Sequence, residues 1–123
     1  IAMTKHILAV DDSLAIRQVV GHTLRSAGYV VSEAGDGEEA LALARSTRFD
    51  MVLTDLHMPR LDGIGLIEGL RALAHCREVP VIVLTTESSE QMRARGRAAG
   101  ATGWMVKPFE PRRLLEVAAR VLG

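Results

Sequence analysis

Five short runs of apolar, often β-branched residues alternate with longer helix-like patterns along this 123-residue chain. The runs are residues 7–10, 29–31, 51–54, 81–84 and 103–106. Apolar strands without polar alternation are typical of a parallel sheet covered by helices on both faces. The segment from Tyr29 to Ala34 alternates in part, through Ser32 and Glu33, and is expected nearer an edge. Since a closed eight-unit barrel needs about twice this length, the pattern predicts an α/β fold with an open, doubly wound sheet.

Five helices are expected between and after these runs. The first four begin after Ser13, Asp36, Asp62-Gly63 and Ser88, and the fifth has Pro111 in its first turn. Ser13 and Ser88 are expected N-caps, and Asp36 has the spacing of a capping box with Glu39. Gly28 is expected to end the first helix, and the fourth is expected to end near Gly100.

Composition places the chain among folded globular domains. Apolar residues make up 48% of it and charged residues 24%, so it can bury a core and is not disordered. No apolar run is long enough to span a bilayer, and no secretory signal is recognisable. The single cysteine, Cys76, excludes an internal disulfide and a cysteine-based zinc site. We expect a cytoplasmic protein without membrane insertion, a domain spanning residues 4–123, and a cloning remnant at residues 1–2.

The two halves of the chain differ in charge although the whole is neutral. Residues 1–68 hold six basic and ten acidic side chains, and residues 69–123 hold nine and five. Chance and solvated helix faces explain this as well as a functional division does. In the functional interpretation, the first half builds most of an acidic site and the second half presents a basic partner surface.

Polar residues stand at the ends of four predicted strands. Asp11 and Asp12 follow the first, Asp55 follows the third, Thr85 ends the fourth and Lys107 follows the fifth. Ligands of open α/β sheets bind beyond the carboxyl ends of the strands, so we expect these side chains on one rim. Three carboxylates repel one another, and oxygen ligands alone favour Mg²⁺. One carboxylate is then free to form an aspartyl phosphate, with the lysine and hydroxyl binding phosphoryl oxygens.

Each of these residues also has a plainer interpretation when taken alone. Asp12 or Ser13 could cap the first helix, Thr85 could simply end a strand, and Lys107 could be a surface lysine. Their joint placement at one rim is what favours chemistry.

Four motifs together resemble the receiver domain of two-component response regulators. They are Val10-Asp-Asp-Ser13, Thr54-Asp-Leu-His-Met-Pro59 with Asp62-Gly63, Leu84-Thr-Thr86 and Val106-Lys-Pro-Phe109. The single-domain chemotaxis type is nearest in length, and the resemblance extends from about Thr4 to Gly123. It implies a flavodoxin-like three-layer sandwich whose five-stranded parallel sheet has the order 2-1-3-4-5, as known for such folds, with five helices around it.

The resemblance also implies how the rim would work. Asp55 would accept a phosphoryl group from the phosphohistidine of a histidine kinase or phosphotransfer domain. Mg²⁺, with Mn²⁺ as a substitute, would contact Asp12 directly, Asp11 largely through water, Asp55, and the backbone carbonyl of His57. The protein would promote its own phosphorylation and dephosphorylation, yet act as a signalling switch rather than a conventional enzyme.

Further residues would bind the phosphoryl group and transmit its presence. The hydroxyl of Thr85 and the ammonium of Lys107 would bind its oxygens, and the bond from Lys107 to Pro108 is expected to be cis. Trp104 occupies the place of the family's switch aromatic and would turn inward as Thr85 moves toward the phosphate. The alternative is that Trp104 only covers the core.

Three residues are expected to modulate the site. His57 lies two positions after Asp55, and we favour a solvent-facing side chain that contributes only its carbonyl. Thr86 is bulkier than the small residue often found there, so it could narrow access for small phosphodonors. Glu87 could act on the attacking water or on a partner phosphatase.

The output surface implied by the resemblance is the fourth helix, fifth strand and fifth helix, which would bind a downstream target protein. Its basic residues are Arg93, Arg95, Arg97, Arg112, Arg113 and Arg120. An acidic partner helix would suit them, although any one arginine could belong to a solvated face. The printed sequence ends just after the fifth helical pattern, so no direct nucleic-acid contact is expected. We expect a monomer, with dimerisation on phosphorylation left open.

Three other functions are alternatives for this sequence. A receiver-like adaptor that binds proteins without phosphorylation is the main alternative. A hydrolase of the haloacid dehalogenase type is disfavoured because Asp55-Leu-His57 lacks the second aspartate of that motif. A flavin-binding module is disfavoured because no phosphate-binding loop follows the first strand.

Overall fold

A computed structural model describes residues 4–123, so the expectation for Ile1 and Ala2 lies outside the described residues. The strands are β1 (His6–Val10), β2 (Val30–Ala34), β3 (Met51–Thr54), β4 (Val81–Thr85) and β5 (Gly103–Val106). The helices are α1 (Leu14–Ser26), α2 (Gly37–Ser46), α3 (Gly63–Ala72), α4 (Glu90–Ala99) and α5 (Pro111–Leu122). A short 3₁₀ helix, Ala74–Cys76, which the sequence did not indicate, links α3 to β4.

The strands form one parallel sheet in the order β2-β1-β3-β4-β5, which confirms the predicted fold. β1 lies inside the sheet, where Val10 pairs with Ala34 of β2 and Thr54 of β3. β2 lies at an edge, as its partial polar alternation predicted. At the other edge, Val106 of β5 pairs with Thr85 of β4. The register therefore aligns the carboxyl ends of all five strands.

Two apolar cores, one on each face of the sheet, complete the three layers. The first joins the sheet to α2 and α3, with Leu8, Val83 and Leu66 among its buried side chains. The second joins it to α1 and α5, through Leu24 and Leu114. Each fully buried leucine contributes about 1.5–3 kcal/mol relative to an exposed one. Both cores hold the strand ends in place for the residues that follow them.

Side-chain caps fix the starts of four helices. The carboxylate of Asp36 accepts a hydrogen bond from Glu39 N at 2.8 Å, and Ser13 Oγ accepts one from Ile16 N at 3.3 Å. The predicted cap of α4 at Ser88 is wrong by one residue, because Ser89 Oγ accepts from Met92 N at 3.2 Å and the helix begins at Glu90. Two adjacent serines have equal cap preference, so sequence alone did not separate them.

Helix ends also follow the expected chemistry. Gly28, just beyond α1, has φ 95°, and Gly100, which caps α4, has φ 115°. Glycine favours such left-handed backbone because it has no Cβ. Among residues 4–123, none of the helices combines the length and apolar character needed to cross a membrane.

Candidate functional site

The strand register brings the predicted site residues to one rim of the sheet. Asp11 and Asp55 come directly after β1 and β3, and Asp55 N donates a hydrogen bond to the carbonyl of Val10 at 3.0 Å. Lys107 follows β5, and its backbone N donates to the carbonyl of Thr85 at 2.8 Å. Residues separated by up to 96 positions in sequence thus meet in space.

Three carboxylates cluster at this rim. Oxygens of Asp11, Asp12 and Asp55 all lie within 4.8 Å of one another. Asp11 and Asp55 are buried and Asp12 is exposed, so the cluster opens to solvent on the Asp12 side. A set of hard, negatively charged oxygen donors with an open side suits Mg²⁺, which takes one or two carboxylates and keeps several waters. These residues therefore fit the predicted cation.

Lys107 balances the two buried carboxylates. Its Nζ lies 2.6 Å from Asp11 Oδ2 and 2.9 Å from Asp55 Oδ2. Burial alone would lower the pKa of Lys107, but hydrogen bonds and charge attraction from the two aspartates outweigh it, so the pKa is raised above its usual value. The lysine therefore stays charged beside the carboxylates. The peptide bond from Lys107 to Pro108 is cis, as predicted.

A hydrogen-bonded path runs from Thr85 to Trp104 through the backbone of Glu87. Thr85 is fully buried, and its Oγ1 accepts a hydrogen bond from Glu87 N at 3.3 Å. The indole Nε1 of Trp104 donates to the carbonyl of Glu87 at 2.9 Å. The Trp104 ring packs against Gly96 of α4, where a Cβ would come within 2.6 Å of Cζ3. Trp104 is thus half-buried and tied to the segment that follows Thr85.

The three residues predicted to modulate the site lie in the loops that follow β3 and β4. The His57 side chain is 64% exposed, and its Nε2 lies 3.6 Å from Glu87 Oε2, so it does more than face solvent. Hydrogen bonds from Ser89, and then the contact with His57, lower the pKa of Glu87. Thr86 is exposed beside them. His57 and Glu87 therefore bridge the loops after β3 and β4.

Sequence reasoning missed a supporting residue, Arg17 of α1. Its Nη1 donates to the carbonyl of Asp11 at 2.8 Å, and its Nε pairs with Glu33 of β2 at 3.3 Å. The contact ties the loop of the acidic pair to the edge strand. Helical spacing could have found it, because Arg17 lies four residues after the cap Ser13 and so on the same helix face.

The face formed by α4, β5 and α5 carries exposed basic and apolar groups. Two clefts of about 240 and 460 Å³ flank Trp104, and Arg93 lines both. Within residues 4–123, the buried Nε of Arg93 has no hydrogen-bond partner. Val106 is 37% exposed beside it. Arg95, Arg97, Arg112, Arg113 and Arg120 are exposed, as predicted for this half of the chain.

The family model for the response regulator receiver domain matches residues 7–119, which covers all of the sheet except His6 and includes the rim. The chain belongs to this family. Receiver domains of this family act generally in phosphorylation-dependent signalling, as switches rather than as conventional enzymes.

Solved receiver domains share the fold over nearly the whole chain. The chemotaxis protein CheY4 of Vibrio cholerae is 47% identical, with a TM-score of 0.94 and coverage of 98% of this chain and 100% of CheY4. The receiver domain of the sensor histidine kinase PA1611 of Pseudomonas aeruginosa is 33% identical, with a TM-score of 0.91 and coverage of 98% and 99%. In that structure a magnesium ion is coordinated in the active site cleft. A receiver domain of the same fold thus binds Mg²⁺ in its active site cleft, and this chain has a cluster of three aspartates at its rim.

A curated relative of the receiver domain is longer than this chain. The transcriptional regulatory protein PrrA of Mycobacterium leprae is 43% identical over 115 residues, which are 94% of this chain but 47% of PrrA. The chain therefore spans less than half of that relative's length.

Proposed function

We propose that the chain, as a receiver domain over residues 4–123, is a switch that Asp55 turns on by accepting a phosphoryl group. The donor is the phosphohistidine of a histidine kinase or phosphotransfer domain. One observation carries the proposal: the buried Asp55 carboxylate shares its rim with two further aspartates and a lysine. Nucleophile, cation ligands and charge-balancing group are thus all within reach of one phosphoryl group.

In the transfer, a carboxylate oxygen of Asp55 attacks phosphorus. The bond from phosphorus to the donor imidazole nitrogen breaks, that nitrogen keeps the electron pair, and an acyl phosphate forms. Mg²⁺, or Mn²⁺ in its place, would neutralise the phosphoryl oxygens and be held by Asp11, Asp12, Asp55 and the backbone carbonyl of His57. The carboxylate cluster supports this ligand set because its oxygens lie close together and one side is open to solvent.

Lys107 and Thr85 would receive the phosphoryl oxygens. Lys107 Nζ already lies 2.9 Å from Asp55 Oδ2, so a modest movement would pair it with a group attached there. Thr85 would donate its hydroxyl to another oxygen. This movement would draw Thr85 Oγ1 away from Glu87 N, its present donor.

We propose that this movement reaches Trp104. Glu87 connects the two residues, because its N donates to Thr85 and its carbonyl accepts from the Trp104 indole. When Thr85 turns to the phosphoryl group, the segment that holds the indole is freed to shift. Trp104 then changes its packing on α4 and reshapes the clefts on either side of it.

The face of α4, β5 and α5 would deliver the output to a downstream protein. An acidic partner segment suits this face, because its arginines Arg95, Arg112 and Arg113 are exposed and can pair with carboxylates. The exposed Val106 offers apolar contact nearby. We propose that the protein is a monomer before phosphorylation. After phosphorylation it would present this same face to its downstream partner. A single buried cysteine, Cys76, supports a reducing, cytoplasmic setting.

Trp104, the sole tryptophan, supplies the test. Fluorescence is recorded with Mg²⁺ and then with beryllofluoride or acetyl phosphate, beside an Asp55→Asn control, and phosphorylation is measured by intact mass. We expect a Mg²⁺-dependent emission change and one added phosphoryl group, both lost in the control. Silence with both reagents, with no Mg²⁺ binding, would overturn the switch and favour the phosphorylation-independent adaptor.

The modulating residues have a separate test. Thr86 is exposed and directly follows Thr85, so Thr86→Ala is expected to speed phosphorylation by acetyl phosphate. Glu87→Gln weakens the contact with His57 and is expected to change the rate of dephosphorylation. An unchanged acetyl phosphate rate in Thr86→Ala would refute its part in access.

A further inference from the structure

The loop between β3 and α3, residues 55–62, carries His57, whose carbonyl is a proposed cation ligand. Its two ends are fixed by short hydrogen bonds. Leu56 N donates to Asp55 Oδ1 at 2.6 Å, and Gly63 N donates to the carbonyl of Leu56 at 2.8 Å. His57 lies between these two ends, so contacts in the middle of the loop also influence where its carbonyl is directed.

Arg60 lies in the middle of this loop with an unusual backbone conformation. Its φ is 67°, and within residues 4–123 it is the one residue other than glycine with a positive φ. Left-handed backbone is unfavourable for a residue that has a Cβ. A contact elsewhere must therefore hold Arg60 in this conformation.

The contact is a two-pronged ion pair with Asp36, the cap of α2. Arg60 Nε donates to Asp36 Oδ2 at 2.8 Å, and Nη2 donates to the same oxygen. The other oxygen, Oδ1, accepts from Glu39 N. Asp36 is only 6% exposed, and the hydrogen bond from Glu39 and the pair with Arg60 both lower its pKa. The aspartate is thus a charged, fixed point on the helix start.

Backbone contact joins the same two segments independently of the ion pair. Gly37 N donates to the carbonyl of Leu61 at 3.1 Å. A Cβ on Gly37 would collide with the carbonyl oxygen and side chain of Leu61. The loop and the start of α2 are therefore packed without space between them.

We propose that Arg60 is a positioning residue for the cation site. By binding Asp36, Arg60 would hold the loop of residues 55–62 against the start of α2 and so direct the His57 carbonyl to the rim. The inference rests on the proposed function, since it needs a cation at the rim. It assigns Arg60 and Asp36 a part in metal affinity although neither is a ligand.

The test measures Mg²⁺ affinity by calorimetry with the metal alone. Arg60→Asn is the principal variant, because asparagine tolerates left-handed backbone but cannot form the two-pronged contact. We expect Mg²⁺ to bind about tenfold more weakly, the lower end of losses seen for residues that orient ligands. Simple electrostatics predicts the opposite sign, since removing a positive charge near an acidic site strengthens cation binding.

Three further single variants and one double variant complete the experiment. Arg48→Asn removes an exposed arginine from the loop before β3 and is expected to leave the affinity unchanged. Asp36→Asn keeps a cap acceptor for Glu39 N but loses the charge, and is expected to weaken Mg²⁺ binding. The double variant Asp36→Asn/Arg60→Asn should bind Mg²⁺ little more weakly than Arg60→Asn alone, because both substitutions remove the same ion pair. Arg60→Lys keeps the positive charge but cannot donate two hydrogen bonds in the geometry of a guanidinium. Its Mg²⁺ affinity should lie between those of the unaltered protein and Arg60→Asn, and it serves as the test if Arg60→Asn does not fold.

The rate of phosphorylation distinguishes a weaker affinity for Mg²⁺ from a direct loss of phosphoryl transfer. At saturating Mg²⁺, phosphorylation of Arg60→Asn by acetyl phosphate is expected to reach the rate of the unaltered protein, with the half-saturating Mg²⁺ concentration raised. Equal or tighter Mg²⁺ binding by Arg60→Asn, with normal binding by the unaltered protein, would overturn this inference and leave the proposed function standing. Absence of Mg²⁺ binding in the unaltered protein would overturn both.

Discussion

The two ends of the sheet each hold a largely buried basic side chain, and the two side chains have different kinds of hydrogen-bond acceptors. At the carboxyl end, Lys107 Nζ contacts the carboxylates of Asp11 and Asp55. At the opposite end, Arg71 of α3 donates to neutral backbone carbonyls. The acceptors of Arg71 are Cys76 at 2.7 Å, Val79 at 2.7 Å, and Gly100 at 2.7 and 3.2 Å.

The difference separates a structural site from a reactive one. The contacts of Arg71 join the end of α3, the start of β4 and the end of α4 without another charge, and burial lowers its pKa. Lys107 offsets only part of a three-carboxylate cluster, so charge is left over at the rim. Satisfied polar groups rigidify a fold, whereas an unbalanced carboxylate cluster attracts a cation or a phosphoryl group.

The largest effect is expected from Asp55→Asn. The amide is a poor nucleophile, so phosphorylation by acetyl phosphate in Mg²⁺ should fall to zero, as measured by intact mass. Arg71→Ala, studied below its unfolding temperature, should still be phosphorylated. A phosphorylated Asp55→Asn protein would show that another residue is the acceptor.

Arg71→Ala is expected to show the next largest effect, on stability. It leaves the carbonyls of Val79 and Gly100 without their donor and that of Cys76 with only the 3.4 Å hydrogen bond from Val79 N, and we expect about 2–4 kcal/mol less free energy of unfolding in urea. Arg77→Ala, which removes an exposed arginine from the same end, is the matched control and should change little. If Arg71→Ala loses no more free energy of unfolding than Arg77→Ala, Arg71 is not the stabilising residue that distinguishes this end of the sheet from the rim.

Adding Mg²⁺ should stabilise the protein through the rim alone. At ten times its dissociation constant, Mg²⁺ would add about 1.4 kcal/mol to the free energy of unfolding, and EDTA would reverse the gain. Arg71→Ala should show the same increment, and Asp55→Asn a smaller one. An equal increment in Asp55→Asn would mean that Asp55 is not a ligand of the metal.

The smallest effect is expected in alkali. Because the folded pKa of Lys107 is raised above its usual 10.5, its stabilising pairs are fully present below pH 10.5 and are lost as the pH rises through the folded value. The difference in free energy of unfolding between the unaltered protein and Lys107→Met should therefore shrink in that range. A difference that stays constant with pH would contradict this assignment.

The fold was largely predictable because its signals are local. Apolar runs, caps and the resemblance indicated five strands, five helices and the strand order, and the parallel register then brought Asp11, Asp55 and Lys107 together. The cap of α4 was missed by one residue because Ser88 and Ser89 are chemically equal there. The expectation that His57 only faces solvent was incomplete, since its contact with Glu87 joins two loops.

The contacts of Arg60 and Trp104 could not be predicted, because they depend on pairs distant in sequence. Arg60 is 24 positions from Asp36, and its left-handed backbone has no signature in a non-glycine residue. The hydrogen bond from Trp104 to the carbonyl of Glu87 depends on side-chain rotamers and on the space at Gly96. Such contacts are fixed by tertiary packing rather than by local propensity.

The order of the strands also bears on how the chain emerges during synthesis. β1, β2 and β3 form one side of the sheet and bring together all three carboxylates of the rim. Lys107 comes 52 residues after Asp55, directly after the last strand, which lies at the far edge of the sheet. A ribosome therefore completes the negative cluster long before it supplies the ammonium group that neutralises part of it, and during that interval solvent cations alone screen the three aspartates.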